Sequence, residues 1–128
     1  AARAKFVQQY GCTAWTDKAL AEVCRHSPLV EMGAGRGQWQ RALTRAGADV
    51  LAFDNCSALP GGSHPSQDTS MVGDVKRGDE RKLSSWRVRR ARPKRTLLCV
   101  YPEGDLLERC LAHYDGEVLL FVGEGRGG

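Results

Sequence analysis

Three glycines spaced two apart, with one carboxylate just before them and another some twenty positions on, form a pattern able to hold a nucleotide-like ligand. The chain carries it as Leu29-Val30-Glu31-Met32-Gly33-Ala34-Gly35-Arg36-Gly37-Gln38-Trp39, followed by Asp54. Glycine lets the backbone take positive φ and come close to a ligand. The helix start that follows offers unpaired N–H groups. Asp54 lies 21 positions after Gly33, a spacing that suits a carboxylate accepting bonds from both hydroxyls of a ribose. Glu31 sits two residues before the first glycine. A carboxylate there disfavours a pyrophosphate and favours a ligand with a cationic amino group. The dinucleotide pattern wants G-x-G-x-x-G, whereas here the third glycine is Gly37 and position 38 is Gln. No Gly-Lys-Ser/Thr follows, which excludes a P-loop.

These residues need elements to position them. Leu29 to Met32 reads as a buried strand. From Gln38 to Ala46 the pattern turns helical, with Trp39, Leu43 and Ala46 on one packing face and Gly47 as the stop. Asp49 to Phe53 is a second buried strand, delivering Asp54 at its end. Upstream, Thr16 or Asp17 can cap a helix running to about His26, which Ser27 and Pro28 end, while residues 1–15 have no clear period. Downstream, residues 55–70 and 76–95 are loop-rich, with a weak strand over Met71 to Val75 and a short surface helix over Lys82 to Arg90. Thr96 to Tyr101 is a third confident strand, broken by Pro102. Asp105 to Tyr114 is helical, and Glu117 to Val122 is the last strand. Continuously apolar strands alternating with helices predict a parallel sheet covered on both faces. The chain stops directly after a strand, which points to a C-terminally truncated piece.

Length and composition fit one domain, 1–128. The chain has 128 residues, 41% hydrophobic and 27% charged, enough for one core and not for two. The longest apolar run is far short of the roughly 20 residues a membrane helix needs, so no membrane partner is expected. Five cysteines form an odd set without a Cys-x-x-Cys pair, and His26, His64 and His113 are scattered singly. Neither a disulfide framework nor a metal site is expected, and a reducing, cytoplasmic setting is. Net charge is +4, with much of the excess in Arg87, Arg89, Arg90, Arg92, Lys94 and Arg95. Such a run can hold nucleic-acid phosphates. A solvated connector is the favoured reading, because no aromatic interleaves with the run after Trp86.

The segment Glu31-Met32-Gly33-Ala34-Gly35-Arg36-Gly37 resembles motif I, E/D-x-G-x-G-x-G, of the class I S-adenosylmethionine-dependent methyltransferases. Asp54 matches the ribose-binding acid of that superfamily. Gly78-Asp79, or else Gly73-Asp74, falls where the family places an acid near the adenine amino group, and Tyr101-Pro102-Glu103 falls at motif IV. The segment Tyr10 to Trp15 and the ending Val122 to Gly128 are similar to small, poorly characterised methyltransferase-like proteins, so the likeness runs from about Tyr10 onward. It implies a Rossmann-like three-layer αβα sandwich with a mainly parallel sheet. Strands six and seven of the family core, a hairpin covering the edge of strand five, are missing from the five strand candidates.

The resemblance implies S-adenosyl-L-methionine as cofactor and methyl transfer to an unidentified acceptor. Gly33, Ala34, Gly35 and Gly37 would form the cofactor loop, with Glu31 toward the methionine part. Asp54 and Asn55 would hold the ribose, and Asp79 or Asp74 would contact adenine. Glu103 or Tyr101 would orient or deprotonate the acceptor, as the catalytic positions. Motif IV of amino-group methyltransferases reads Asp/Asn-Pro-Pro-Tyr/Phe, whereas here Tyr101-Pro102-Glu103-Gly104 keeps one proline. That departure argues against a base or amide nitrogen as acceptor. Two rivals stand beside this reading. One is a non-catalytic cofactor-binding module with the same fold. The other is an NAD or flavin oxidoreductase, which would want glycine at position 38. Each acid also has a plain structural alternative: Asp54 as a turn start, Asp74 and Asp79 as loop acids, Glu103 as a charge at a helix start.

Overall fold

The computed structural model describes residues 6–11, 17–55 and 71–123. Residues 1–5, 12–16, 56–70 and 124–128 lie outside the described residues, and with them most of the Tyr10 to Trp15 and Val122 to Gly128 resemblances. The elements follow in the order β1 (Phe6–Gly11), α1 (Asp17–Cys24), β2 (Leu29–Met32), α2 (Gln38–Arg45), β3 (Val50–Asp54), β4 (Val75–Arg77), a 3-10 turn (Glu80–Ser84), α3 (Trp86–Arg89), β5 (Thr96–Val100), α4 (Leu106–His113) and β6 (Val118–Gly123). The strands form one sheet in the order β1-β6-β5-β2-β3-β4, and every pair is parallel. The fold is α/β, a Rossmann-like sandwich.

Side-chain alternation sorts the strands onto two helix layers. Val30, Met32, Leu51, Phe53, Leu97, Cys99 and Leu119 face Leu83, Val88, Cys110 and Tyr114 of the layer formed by the 3-10 turn, α3 and α4. Leu29, Leu98, Leu120 and Val122 face Ala19 and Val23 of α1 and Trp39 and Leu43 of α2. β2, β5 and β6 therefore feed both cores, and their continuous apolar runs follow from that double burial. Cys99 of β5 and Cys110 of α4 are fully buried and belong to the same core cluster.

Four expectations are corrected. Residues 6–11, read as having no period, form β1, which pairs with β6 from Phe6↔Val118 to Gly11↔Gly123. Paired on one side only, an edge strand carries a weaker pattern than a central one. The edge of β6 is thus covered, and by a strand from the start of the chain. The weak strand over Met71 to Val75 lies instead at Val75–Arg77. Residues 72 and 73 are drawn off by the carbonyl of Arg36, which accepts from both Val72 and Gly73 amides at 2.8 and 3.0 Å. The helix over Lys82 to Arg90 splits into the 3-10 turn and α3, because Ser85 between them is extended. The loop-rich stretch 76–95 consequently holds most of β4 and both of those elements.

Candidate functional site

The chain runs outward from β2 through β3 to β4, then crosses back to place β5 on the other side of β2. In an open parallel sheet such a switch leaves a crevice beyond the carboxyl ends of the two central strands. A cleft of about 310 Å3 opens there, within the size range of small-molecule sites. Gly33 and Gly35 line it after β2, Asp54 and Asn55 after β3, Gly78 and Asp79 after β4, and Tyr101, Pro102 and Glu103 after β5. Leu106 and Arg109 close it from α4.

The turn after β2 is built by left-handed glycines. Gly33, Gly35 and Gly37 have φ of +72°, +60° and +87°, a region in which a side chain is strained. The Ala34 amide donates to Phe53 O and the Gly37 amide to Ala34 O, both at 3.0 Å. The three glycines do different work. A Cβ on Gly35 would meet nothing within 4 Å, because that position faces the open cleft. A Cβ on Gly33 would meet the Leu106 Cδ2 at 2.9 Å. Gly37 is buried away from the cleft; it caps α2, and a Cβ there would strike the Gly73 backbone at 2.8 Å.

Asp54 is turned toward this bend. Its Oδ2 accepts the Gly35 amide at 2.8 Å, so the end of β3 and the glycine turn share one carboxylate. Asp79 lines the cleft with its carboxylate held by Arg81, at 2.8 Å to Nη2 and 3.1 Å to Nε, while also accepting the Arg81 amide at 3.0 Å. Those bonds pull its pKa down to about 2. Among the described residues, Arg109 is the one basic side chain lining the cleft. It pairs with Glu80 at 3.3 Å and with Asp105. Tyr101 has φ of +48°, a conformation that costs a non-glycine residue about 1–3 kcal/mol. Its amide donates to Val122 O at 2.7 Å.

Glu31 lies under the turn rather than in the cleft. It sits mid-strand, in register with Ala52 of β3 and Leu98 of β5, and is 1% exposed. Among the described residues its Oε1 has no hydrogen-bond partner. Burial first, and the Asp54 charge second, push its pKa up to about 8. At neutral pH it is mostly an uncharged acid able to donate a proton or a hydrogen bond.

The expected residues are thus divided by the fold. Gly33, Gly35, Asp54, Asn55, Asp79, Tyr101 and Glu103 line one cleft. Ala34 instead points into a small core with Ala52 and Val75. Of the two acids offered for adenine, Asp79 lines the cleft, whereas Asp74 is outside it beside Lys76 at 3.6 Å. No family model matches the chain, nor does any curated protein or solved structure. Geometry and chemistry alone therefore carry its functional reading. Leu106 and Arg109 were not among the expected residues. Their i, i+3 spacing on the helix after the switch-point strand is the signal that could have found them, since such a helix turns its first residues toward the crevice.

Proposed function

We propose that the cleft binds S-adenosylmethionine and that the protein transfers its methyl group to an acceptor approaching past Tyr101 and Glu103. The observation that carries this reading is the Asp54 carboxylate on the Gly35 amide at 2.8 Å, because it puts an acid for a ribose against a turn open enough for close ligand approach. The electrostatics fit the group. Asp54, Asp79 and Glu103 line the cleft against Arg109, a balance that favours a ligand carrying more positive than negative charge. A sulfonium with an ammonium and a carboxylate is such a ligand, and Arg109 offers a partner for the carboxylate. Gly35 leaves room where a Cβ would otherwise project.

When bound, the sulfonium supplies an already activated methyl group for in-line displacement. The chain's part is then to position and to exclude water. Gly33 and Gly35 permit approach, Asp54 with Asn55 grips the ribose hydroxyls, and Asp79 receives the adenine amino group. Glu31, uncharged beneath the turn, backs the glycine loop from below rather than lining the cleft. Tyr101, held in its unusual conformation at the mouth of β5, and Glu103 beside it orient the acceptor, with Glu103 able to take a proton from it.

The test is a melting-temperature series with S-adenosylhomocysteine and with NAD. S-adenosylhomocysteine at about 100 times its dissociation constant should stabilise the fold by about 2.7 kcal/mol, and NAD should leave it unchanged. A shift with NAD alone would overturn the reading in favour of the oxidoreductase alternative.

A further inference from the structure

Residues 86–95 connect the 3-10 turn to the start of β5, so they lie at the amino ends of the parallel strands, opposite the cleft. Five of these ten residues are arginine and one is lysine. The fold uses some of them. Arg95 donates to Leu29 O at 2.8 Å and pairs with Asp49. Arg89 and Lys94 share Asp115, at 3.7 and 2.8 Å. Among the described residues Arg87, Arg90 and Arg92 make no ion pair, and all three are exposed; Arg92 Nη1 donates to the Arg89 and Ala91 carbonyls at 2.6 and 2.7 Å, which fixes its charged head on this surface.

Trp86 stands at the head of this group and is 73% exposed. α3 anchors to the core through Val88, 3% exposed, so the fold had an inward position available and left the indole outside. The Arg90 guanidinium lies 4.8 Å from the indole centroid. The surface therefore presents an aromatic plane with a guanidinium against it, and the guanidinia of Arg87 and Arg92 within six residues of the ring. The sequence alone shows one aromatic at the edge of a charge run. The helical turn of α3 is what brings Arg90, four residues on, over that ring.

We infer that this surface binds single-stranded nucleic acid, with a base stacked on Trp86 and backbone phosphates on Arg87, Arg90 and Arg92. Planar guanidinia match phosphate and base geometry better than ammonium groups do, and arginine outnumbers lysine here five to one. An exposed ring accepts a base that is unstacked, which a single strand offers and a duplex does not. An anionic membrane is the poorer partner, since α3 has four residues and its other large apolar side chain faces the core. The surface is independent of what the cleft holds.

Fluorescence anisotropy with a labelled oligouridylate of about 12 nucleotides at about 50 mM salt tests the proposal. The expected result is saturable binding that Trp86→Ala weakens at least ~10-fold, the cost of one lost base stack. The melting temperature should stay unchanged, because the ring is outside the core. Replacing Arg87, Arg90 and Arg92 together by Gln should reduce the slope of log affinity against log salt by about 2, from three phosphate contacts at ~0.7 each. No binding, unchanged affinity in Trp86→Ala, or equal affinity for the matching duplex would overturn the assignment. So would a preference for phosphatidylserine vesicles over the oligonucleotide.

Discussion

At the carboxyl ends of the strands, Asp54, Asp79 and Glu103 line a cleft beside Arg109, with Arg81 paired to Asp79. At the amino ends, residues 86–95 carry six cations, and Asp115 answers two of them. Helices in a parallel α/β sheet begin at the carboxyl end of the strands and finish at the amino end. Their positive N-terminal poles therefore gather on the cleft side, where acids are favoured, and their negative C-terminal poles on the other side, where bases are. Arg45 in the last turn of α2 and His113 in the last turn of α4 follow the same rule. The contrast extends to the backbone. The cleft side is built from left-handed glycines and one left-handed tyrosine, whereas the basic side is a short helix anchored by Val88 with Trp86 and its arginines exposed. One end is a concave cleft, and the other is an exposed convex surface.

Substitutions should break the two ends differently. Gly37→Ala has the largest expected effect, because its φ of +87° and the Gly73 backbone at 2.8 Å act together. Strain and overpacking there should cost about 3–6 kcal/mol in urea unfolding. Gly35→Ala, with φ of +60° but open space around it, should cost only about 1–2 kcal/mol. If the two cost the same, the division of work within the glycine turn is wrong.

Glu31 supplies a pH test confined to the cleft side. Its pKa rises from an ordinary 4.5 to about 8 on folding, so the folded state holds a proton that the unfolded state releases. Its contribution is complete below pH ~4.5 and is lost as pH climbs through about 8, by a few kcal/mol in all. Unfolding free energies measured across that range should fall for the wild type. For Glu31→Gln they should stay nearly level, since the amide does not titrate. An identical slope in both proteins would mean that Glu31 is not buried as described.

Asp54→Ala should weaken S-adenosylhomocysteine binding about 10–100-fold by calorimetry, the worth of hydrogen bonds to a charged group. At the other end, Trp86→Ala should change stability by less than ~0.5 kcal/mol, as an exposed residue outside the packed core, and should leave cofactor binding untouched. A loss of cofactor affinity in Trp86→Ala would dissolve the separation of the two ends.

Much of the framework could be read from residue order. β2, β3, β5 and β6 stand within a residue or two of where their apolar runs place them, because double burial makes a central strand conspicuous. β1 was illegible for the opposite reason: a strand at the sheet margin has one neighbour and needs no strong pattern. The spacing of Gly33, Gly35 and Asp54 was legible because strand ends in a parallel sheet come into register. It could not reveal that Ala34 turns inward, that Gly37 serves Gly73, or that Asp79 and not Asp74 reaches the cleft. Those outcomes depend on the loop 71–74 docking on α2, where Gln40 Oε1 accepts the Asp74 amide at 2.8 Å. Arg109 and the joint burial of Cys99 and Cys110 belong to the same class, since each depends on how α4 lies over β5.

The most direct test of the cleft assignment is a backbone-amide NMR titration with S-adenosylhomocysteine. The expected perturbations fall on Gly33, Gly35, Asn55, Gly78, Asp79 and Leu106, with Trp86 to Lys94 unmoved. Perturbation of the amino-end residues alone, or of none at ligand concentrations approaching solubility, would contradict it.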